Sequence, residues 1–577
     1  MRAIIIIIIA LLTIVCSAFC QVTFLQMANE LNVTEAQFSC GVGIIDLNND
    51  MVNEIIIANH NGADRLYIWY DSLYIDMGYE YELSQYANGH HSIALTDVDK
   101  DYLPDIYITG EPYYGNHGHL YINQGHPPFS DEAESYNLAE VDEMGSIFFQ
   151  FTPESELAVL CGGNLMVRVG QTFIDITEGS GFETIANLHC PLFFDMDGDN
   201  DDDLFVAGNW HADGGRLFRN NGDTTFIDIS FNTNEGGFPS GGGACFGDID
   251  NDGDFDLYMT SSIENSMWEN DGTGYFTNIS TQSNTDYGDF TRGANFADYD
   301  NDGDIDLFIN RATDYNMILL NNGLGIFEDY SYEAGVVDYL NGFGCATGDL
   351  NNDGQLDIVM ANCDDQQNQI YINQNQNNSF LRIKLIGLYP NTLALGAIVD
   401  LYGILNDPPD TIYIGKRQMV SHSSMFSFDE PILHFGTGNF EELRAIITFN
   451  SLFIVDTSGI IPGQQISIYE DTTTVSIIES KTQLPENYLS IEAYPNPFNS
   501  SVKISFTGES TNQYSLKIYN ILGRLVKSDI ICDNNMNSYD FIWNGTDDLG
   551  QPVPSGVYFI SVRSKEYVSS INVTLLK

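Results

Sequence analysis

Short apolar runs punctuate this chain at a steady pace. Leu204-Phe205-Val206, Leu257-Tyr258-Met259, Leu307-Phe308-Ile309 and Ile358-Val359-Met360 each follow a cluster of Asp, Asn and Gly. Runs rich in branched and aromatic residues, bounded by turn residues, predict strands. A second set reads as aromatic outer strands: Phe173-Ile174-Asp175-Ile176-Thr177, Phe226-Ile227-Asp228-Ile229-Ser230, Phe276-Thr277-Asn278-Ile279-Ser280 and Phe327-Glu328-Asp329-Tyr330-Ser331. An all-β chain is expected.

The polar cluster before each apolar run is one acidic phrase, repeated six times. It reads DLNNDMVNE from Asp46, DVDKDYLPD from Asp97, DMDGDNDDD from Asp195, DIDNDGDFD from Asp248, DYDNDGDID from Asp298 and DLNNDGQLD from Asp349. Positions one, three, five and nine carry oxygen side chains. These are Asp46, Asn48, Asp50 and Glu54; Asp97, Asp99, Asp101 and Asp105; Asp195, Asp197, Asp199 and Asp203; Asp248, Asp250, Asp252 and Asp256; Asp298, Asp300, Asp302 and Asp306; Asp349, Asn351, Asp353 and Asp357. With a tight turn near position six they form a cage for a hard cation, and calcium takes six to eight such oxygens. An EF-hand would need Glu at position twelve and flanking helices. Position twelve here is Met259, Ile309 or Met360, inside a predicted strand. The loop therefore joins two strands of a hairpin, and about six calcium sites are expected.

First loop residues at 46, 97, 195, 248, 298 and 349 give spacings of 51, 98, 53, 50 and 51. The double gap hides a degenerate unit around Phe148 to Glu156, which keeps the strand Leu157-Ala158-Val159 and lacks the cage. Seven units of about 50 residues signal a propeller or a solenoid. The chain ends favour a ring. No Phe-x-Asp-Ile-Ser strand follows the seventh loop, yet Phe24 stands 22 residues before Asp46, as Phe327 stands before Asp349. The segment near Phe24 is expected to complete the last blade of a seven-bladed β-propeller.

Units of this kind resemble FG-GAP/VCBS repeats, the family of the integrin α-subunit propeller, over roughly Phe24 to Asn373. The resemblance implies calcium loops between the first two strands of each blade, on one face, and ligands met by the opposite face. Strands of a blade alternate direction, so loops after the second strand and before the first share that opposite face. These loops carry His60, His90, His91, Tyr113, Tyr114, His117, His119, His189, Trp210, His211 and Tyr315. A ligand surface built mostly by blades one, two and four is expected there.

Formal charge is −60. Residues 21–373 hold 61 Asp or Glu against 7 Lys or Arg, and residues 374–577 hold 20 against 13. Such a surface repels nucleic acid and anionic lipid, and no basic stripe exists to bind either. With 43% hydrophobic and 12% aromatic residues, the chain carries enough apolar surface to fold despite that charge. Met1-Arg2, the apolar run Ala3 to Val15 and small residues to Cys20 read as a secretory signal peptide over 1–20, cleaved before Gln21. No other stretch suits a transmembrane segment. Seven cysteines remain, an odd number without metal-type spacing, so at least one is unpaired and small buried thiols are expected.

After Gln366 to Asn378 the pattern changes. The stretch FLRIKLIG from Phe380, the Leu395-Gly396-Ala397 strand and Pro431-Ile432-Leu433-His434-Phe435-Gly436 resemble the ASPIC/UnbV domain of cartilage acidic protein relatives. A small β domain over 374–470 is expected, with His434 as a hydrogen-bonded structural histidine and 471–490 as a linker. The last segment, 491–577, carries Tyr494-Pro495-Asn496-Pro497-Phe498-Asn499, Trp543-Asn544-Gly545 and Ser555-Gly556-Val557-Tyr558. It suggests a C-terminal β-sandwich and closely resembles the type A C-terminal sorting domain of type IX secretion. That resemblance implies a Bacteroidetes-like cell, handling by the type IX machinery and a surface location.

No HExxH, GxSxG, P-loop or dinucleotide fingerprint is present. The expected function is a secreted, calcium-binding adhesion or ligand-binding protein, not an enzyme, whose partner is an extracellular glycan or protein. The alternative is a lyase-like enzyme on acidic polysaccharide. Such an enzyme needs a base and cationic side chains, which the propeller scarcely has.

Overall fold

The computed structural model describes residues 22–575, apart from 35, 71–72, 84–88, 111–116, 140–143, 152–154, 183–188, 209–213, 289, 376–378, 407–408, 471–474, 479–489, 495–497, 508–512, 521–524, 533–537, 548–549 and 564–567. The expected signal peptide, Tyr113, Tyr114, Trp210 and His211 lie outside the described residues. The chain divides into two compact units, Met1–Glu479 and Ser480–Lys577.

Seven antiparallel sheets share one four-strand plan, and the first gains a short fifth strand, Gln366–Gln367. Their first strands are Ala36–Ile45, His90–Thr96, Ser146–Gln150, Cys190–Phe194, Ala244–Gly247, Thr291–Ala297 and Gly342–Gly348. Each touches the next, and the seventh touches the first, so the sheets close into a ring. The closure uses the N-terminal strand Phe24–Gln26, which pairs antiparallel with Gln369–Asn373 as the outer strand of the seventh blade. Each predicted apolar run is a second strand, buried on both faces between adjacent blades, as Asp256–Met259 and Asp306–Arg311 show. That double burial is why these runs are continuously apolar, while the outer strands bury only their leading Phe.

Residues 379–478 form two further sheets and pack with the propeller in the same unit. One sheet orders Leu433–Gly438, Ser379–Ile386, Gln464–Tyr469 and Val475–Ile478; the other orders Pro409–Gln418, Ile398–Asn406, Leu443–Thr448 and Ile454–Ile460. Their apolar faces share one core, with Leu381, Ile383, Val399, Leu401, Phe435, Ala445, Ile447 and Ile466 buried together with Leu157 and Val159 of blade three. This region is called the cap below.

Between the strands ending at Gln418 and starting at Leu433, the cap sends a segment into the ring. Ser421 exchanges hydrogen bonds with the Phe148 backbone (2.9 and 2.8 Å). Ile93 N–H donates to Phe426 C=O (3.1 Å), and Phe428 pairs with Gly43. Asp429 Oδ1 accepts from Asn295 and from Thr347 N–H (both 2.6 Å). The segment thus bonds first strands of blades one, two, three, six and seven. Glycine permits the approach: a Cβ on Gly41 would lie 2.4 Å from Phe426 O and 2.5 Å from His91 O, both backbone atoms. We expect Gly41→Ala to cost about 1–3 kcal/mol by overpacking, read as a lower urea midpoint at unchanged slope. A wild-type midpoint would show that the inserted segment yields freely.

The second unit stands by itself. Its sheets are Ser490–Tyr494, Val502–Thr507 and Ser538–Trp543, and Leu525–Cys532, Gln513–Asn520, Gly556–Arg563 and Val568–Leu575. Val502, Ile504, Phe506, Leu516, Ile518, Trp543, Ile560 and Val562 form its core. The buried Trp543 indole donates to Thr546 O (2.8 Å). No helix among the described residues is long and apolar enough to cross a membrane.

Candidate metal centres

All six acidic phrases are hairpin loops between first and second strands, and all six fold alike. The position-one carboxylate accepts the backbone N–H groups of positions five and six, as in Asp298 with Asp302 N (3.1 Å) and Gly303 N (2.9 Å). Asp46 does the same with Asp50 and Met51 (both 3.0 Å). Such wrapping needs left-handed backbone at positions four and six. Asn301 has φ 59° and Gly303 φ 107°; Asn251, Gly253, Asn352 and Gly354 repeat the pair. Asn and Gly reach this region most readily, which accounts for the Asn-Asp-Gly core of the phrase.

The fold brings position-one, -three and -five carboxylates together. In Asp97/Asp99/Asp101, Asp195/Asp197/Asp199, Asp248/Asp250/Asp252 and Asp298/Asp300/Asp302, one oxygen from each lies within 4.8 Å of the others. Asn48 and Asn351 take position three in the first and last loops, where two carboxylates and an amide oxygen remain. Asp197 Oδ1 and Asp250 Oδ1 are buried without a hydrogen-bond partner. Three crowded carboxylates with orphaned buried oxygens are the donor set a hard divalent cation requires.

Burial, reinforced by neighbouring carboxylates, pushes Asp298 up to about 7 and Asp302 to about 9. Asp250 rises to about 6 for the same reasons, and Asp203 rises to about 9. Unfolded Asp titrates near about 3.9. Without cation, the folded state holds more protons than the unfolded state across this window, so stability falls as pH rises from about 4 toward 9. In EGTA the melting temperature at pH 5 should exceed that at pH 8. Millimolar calcium should flatten or reverse the slope, because it binds the deprotonated ligands. A melt in EGTA that ignores pH contradicts this electrostatic account.

Position nine has a second task. Asp306 Oδ2 accepts from Tyr299 N–H (3.0 Å), and its Oδ1 accepts from Asn321 N–H (2.9 Å). Asn321 Nδ2 then donates to Ile305 O and, in the preceding blade's loop, to Ile249 O (2.7 Å). Asn123, Asn270 and Asn373 make the same stitches. Sequence reasoning passed over these asparagines. Their signal was an Asn opening the turn after the third strand of five blades, as in Asn220-Asn221-Gly222 and Asn270-Asp271-Gly272.

The cap reaches every loop. Tyr413 Oη donates to Asp248 Oδ2 (2.9 Å), Gly436 N–H to Asp298 Oδ2 (2.8 Å) and Arg382 to Asp349 Oδ2 (3.0 Å). Thr392 Oγ1 bonds Asp97 Oδ2, Lys384 bonds Asn49 (2.9 Å), and Gln418 bonds Asp202 (2.6 Å). His434, stacked on Phe380, bonds Gly354 O through Nε2 (3.1 Å); burial lowers its pKa to about 3, so it stays neutral as a structural histidine.

The expected ligand face divides. His117 is exposed, whereas His90, His91, His119 and His189 are buried. His90 Nδ1 pairs with Asp64 (2.6 Å) and His119 Nδ1 with Asp131 (2.7 Å). His60, half-buried, bonds His91 (3.2 Å), and the His91 and His189 rings pack on Phe426 of the inserted segment. These buried histidines are not loop tips: His91 and His189 sit where the ring meets the inserted segment, and His90 and His119 are paired within the blades. The six described cysteines from Cys40 to Cys363 are buried.

Comparison with known families agrees with this geometry. FG-GAP-like repeat matches residues 195–259, 248–309 and 298–360, and Secretion system C-terminal sorting domain matches 492–574. A search of curated proteins finds no match. Among solved structures, the extracellular domain of the putative hybrid two component system BT3049 from B. thetaiotaomicron is similar at 8% identity and TM-score 0.38, covering 94% of this chain and 55% of that one. This chain thus spans little more than half the length of that structure. PorZ, a surface component of the type-IX secretion system of Porphyromonas gingivalis, is similar at 12% identity and TM-score 0.18, covering 93% and 81%. At these scores neither likeness bears on fold or function. The chain carries FG-GAP-like repeats followed by a type IX C-terminal sorting domain, the mark of a protein secreted and attached at the cell surface.

Proposed function

We propose that this protein is a calcium-loaded propeller displayed at the cell surface to bind an extracellular glycan or protein, in adhesion or ligand capture. The observation that carries the calcium reading is the repeated cage: four carboxylate triads within 4.8 Å and two Asp/Asn/Asp equivalents, all in one wrapped loop geometry. Calcium would be held by positions one, three, five and nine with a backbone carbonyl and water, and would supply structural charge neutralisation. The cap's ASPIC/UnbV-like character belongs to the same reading, supported by its FLRIKLIG strand.

Binding is favoured over lyase chemistry by the state of the propeller's cations. Arg65 pairs with Asp76, Arg216 with Asp228 and Arg311 with Asp314. Lys100 lies over the Tyr389 ring (3.7 Å), and Arg292 bonds Asn341 and Cys363. Side chains so engaged are poorly placed to hold a uronate. The ligand surface is read on the face away from the calcium loops, because the cap covers the loops themselves. The test is a glycan array run beside an eliminative-cleavage assay on polyuronates, with calcium-loaded protein. Binding without release of unsaturated product is expected; calcium-dependent release of unsaturated product would overturn the reading.

A further inference from the structure

Four cap donors meet the loops at the same atom. Thr392, Tyr413, the Gly436 amide and Arg382 all bond Oδ2 of a position-one aspartate: Asp97, Asp248, Asp298 and Asp349. In the same four residues both oxygens also accept backbone N–H groups of their own loop, such as Asp252 N on Asp248 Oδ1 (3.1 Å) and Gly253 N on Asp248 Oδ2 (3.2 Å). Each carboxylate therefore takes on its Oδ2 one further bond from a second β region 33 to 295 residues away in sequence.

We infer that Arg382, Thr392, Tyr413 and the Gly436 amide are positioning groups for the cation sites, so that each of these loops is completed only when the cap is seated. The inference rests on the calcium reading above. A carboxylate held only by its own loop shifts whenever that loop shifts; one also anchored from the cap through Oδ2 meets the ion already aimed. Partners that orient metal ligands in this way commonly change metal affinity by about 10- to 100-fold when removed. The coupling is reciprocal: whatever the seated cap adds to calcium affinity, calcium adds to cap seating. The four donors differ in charge. Tyr413, Thr392 and the Gly436 amide are neutral and leave the full carboxylate charge for the ion. Arg382 is cationic, but it also pairs with the buried Glu430, which offsets its charge. The inserted segment connects the two effects, because Glu430 Oε2 also accepts Asp349 N–H (3.0 Å).

The test uses the full chain and the isosteric variants Tyr413→Phe and Thr392→Val, singly and together. The control is Tyr389→Phe, which removes a cap hydroxyl bonded to Glu156 (2.8 Å) in blade three, the blade without a cage. Calcium affinities come from calorimetric titration, and cap seating from hydrogen exchange of residues 379–478 with and without calcium. The double variant should weaken two of six sites by about tenfold or more and lower the calcium-dependent protection of the cap; the control should match wild type. Should the double variant not fold, Tyr413→Phe alone should weaken one site. Wild-type affinities in every variant overturn the inference while leaving the calcium reading intact. Absence of calcium binding by the wild-type chain overturns both.

Discussion

Stripping calcium from the secreted protein should lower its unfolding free energy by about 8 kcal/mol. Extracellular calcium modules bind at roughly 0.1–1 mM. About tenfold excess of free ion over Kd stabilises by about 1.4 kcal/mol per site, and six such sites give about 8 kcal/mol. That rivals the roughly 5–15 kcal/mol by which folded domains usually exceed their unfolded state. The loops explain why the effect should be global. Position-nine residues Asp256, Asp306 and Asp357 are buried inside the blades, so an uncompensated cage leaves charge next to the packed second strands. Chelation should drop the melting temperature by many degrees, and calcium should restore it. An unchanged melt in EDTA, with loss of metal verified by elemental analysis, would remove calcium from the structural account.

The second large effect concerns export. The terminal unit Ser480–Lys577 has its own core around Trp543 and a matched sorting-domain segment at 492–574. Deleting residues 480–577 should leave the propeller and cap folded, with the same calcium-dependent melt, and hold the chain in the periplasm of its native host. Surface labelling of the truncated protein at wild-type level would show that the sorting unit is dispensable.

Much of this architecture was legible in the sequence because its signals are local. A nine-residue loop whose side chains fold back on their own backbone writes its whole geometry into Asp-x-Asp-x-Asp-Gly spacing. The run after it is apolar because blades cover both of its faces. Ring closure was legible through one displaced strand, since Phe24 kept the register of Phe327 and now pairs opposite Asn373. The seating of the cap was not legible. Tyr413, Thr392 and Arg382 act on carboxylates far away in the chain, and a single donor in a strand has no periodicity to betray it. The inserted segment from Val420 to Pro431 was equally hidden: its Ser, His and Phe residues follow neither helix nor strand spacing, because its partners are the backbones of four blades and the Asn295 side chain of a fifth. The histidines show a further limit. Loop position predicted accessible rings, but the buried Asp64 pairs with His90 and Asp131 pairs with His119, and both rings lie inside the fold. Pairing of that kind is decided by tertiary neighbours.

The central claim is that six loops of one geometry each hold a calcium ion, and the most direct measurement is the stoichiometry of calcium bound at equilibrium. Purified protein should be brought to equilibrium by dialysis against about 10 mM calcium, well above the roughly 0.1–1 mM dissociation constants of such sites, and the excess calcium on the protein side analysed together with protein. The account predicts close to six calcium ions per chain, falling to five in Asp298→Ala. A ratio near zero, or one unaffected by Asp298→Ala, would contradict it.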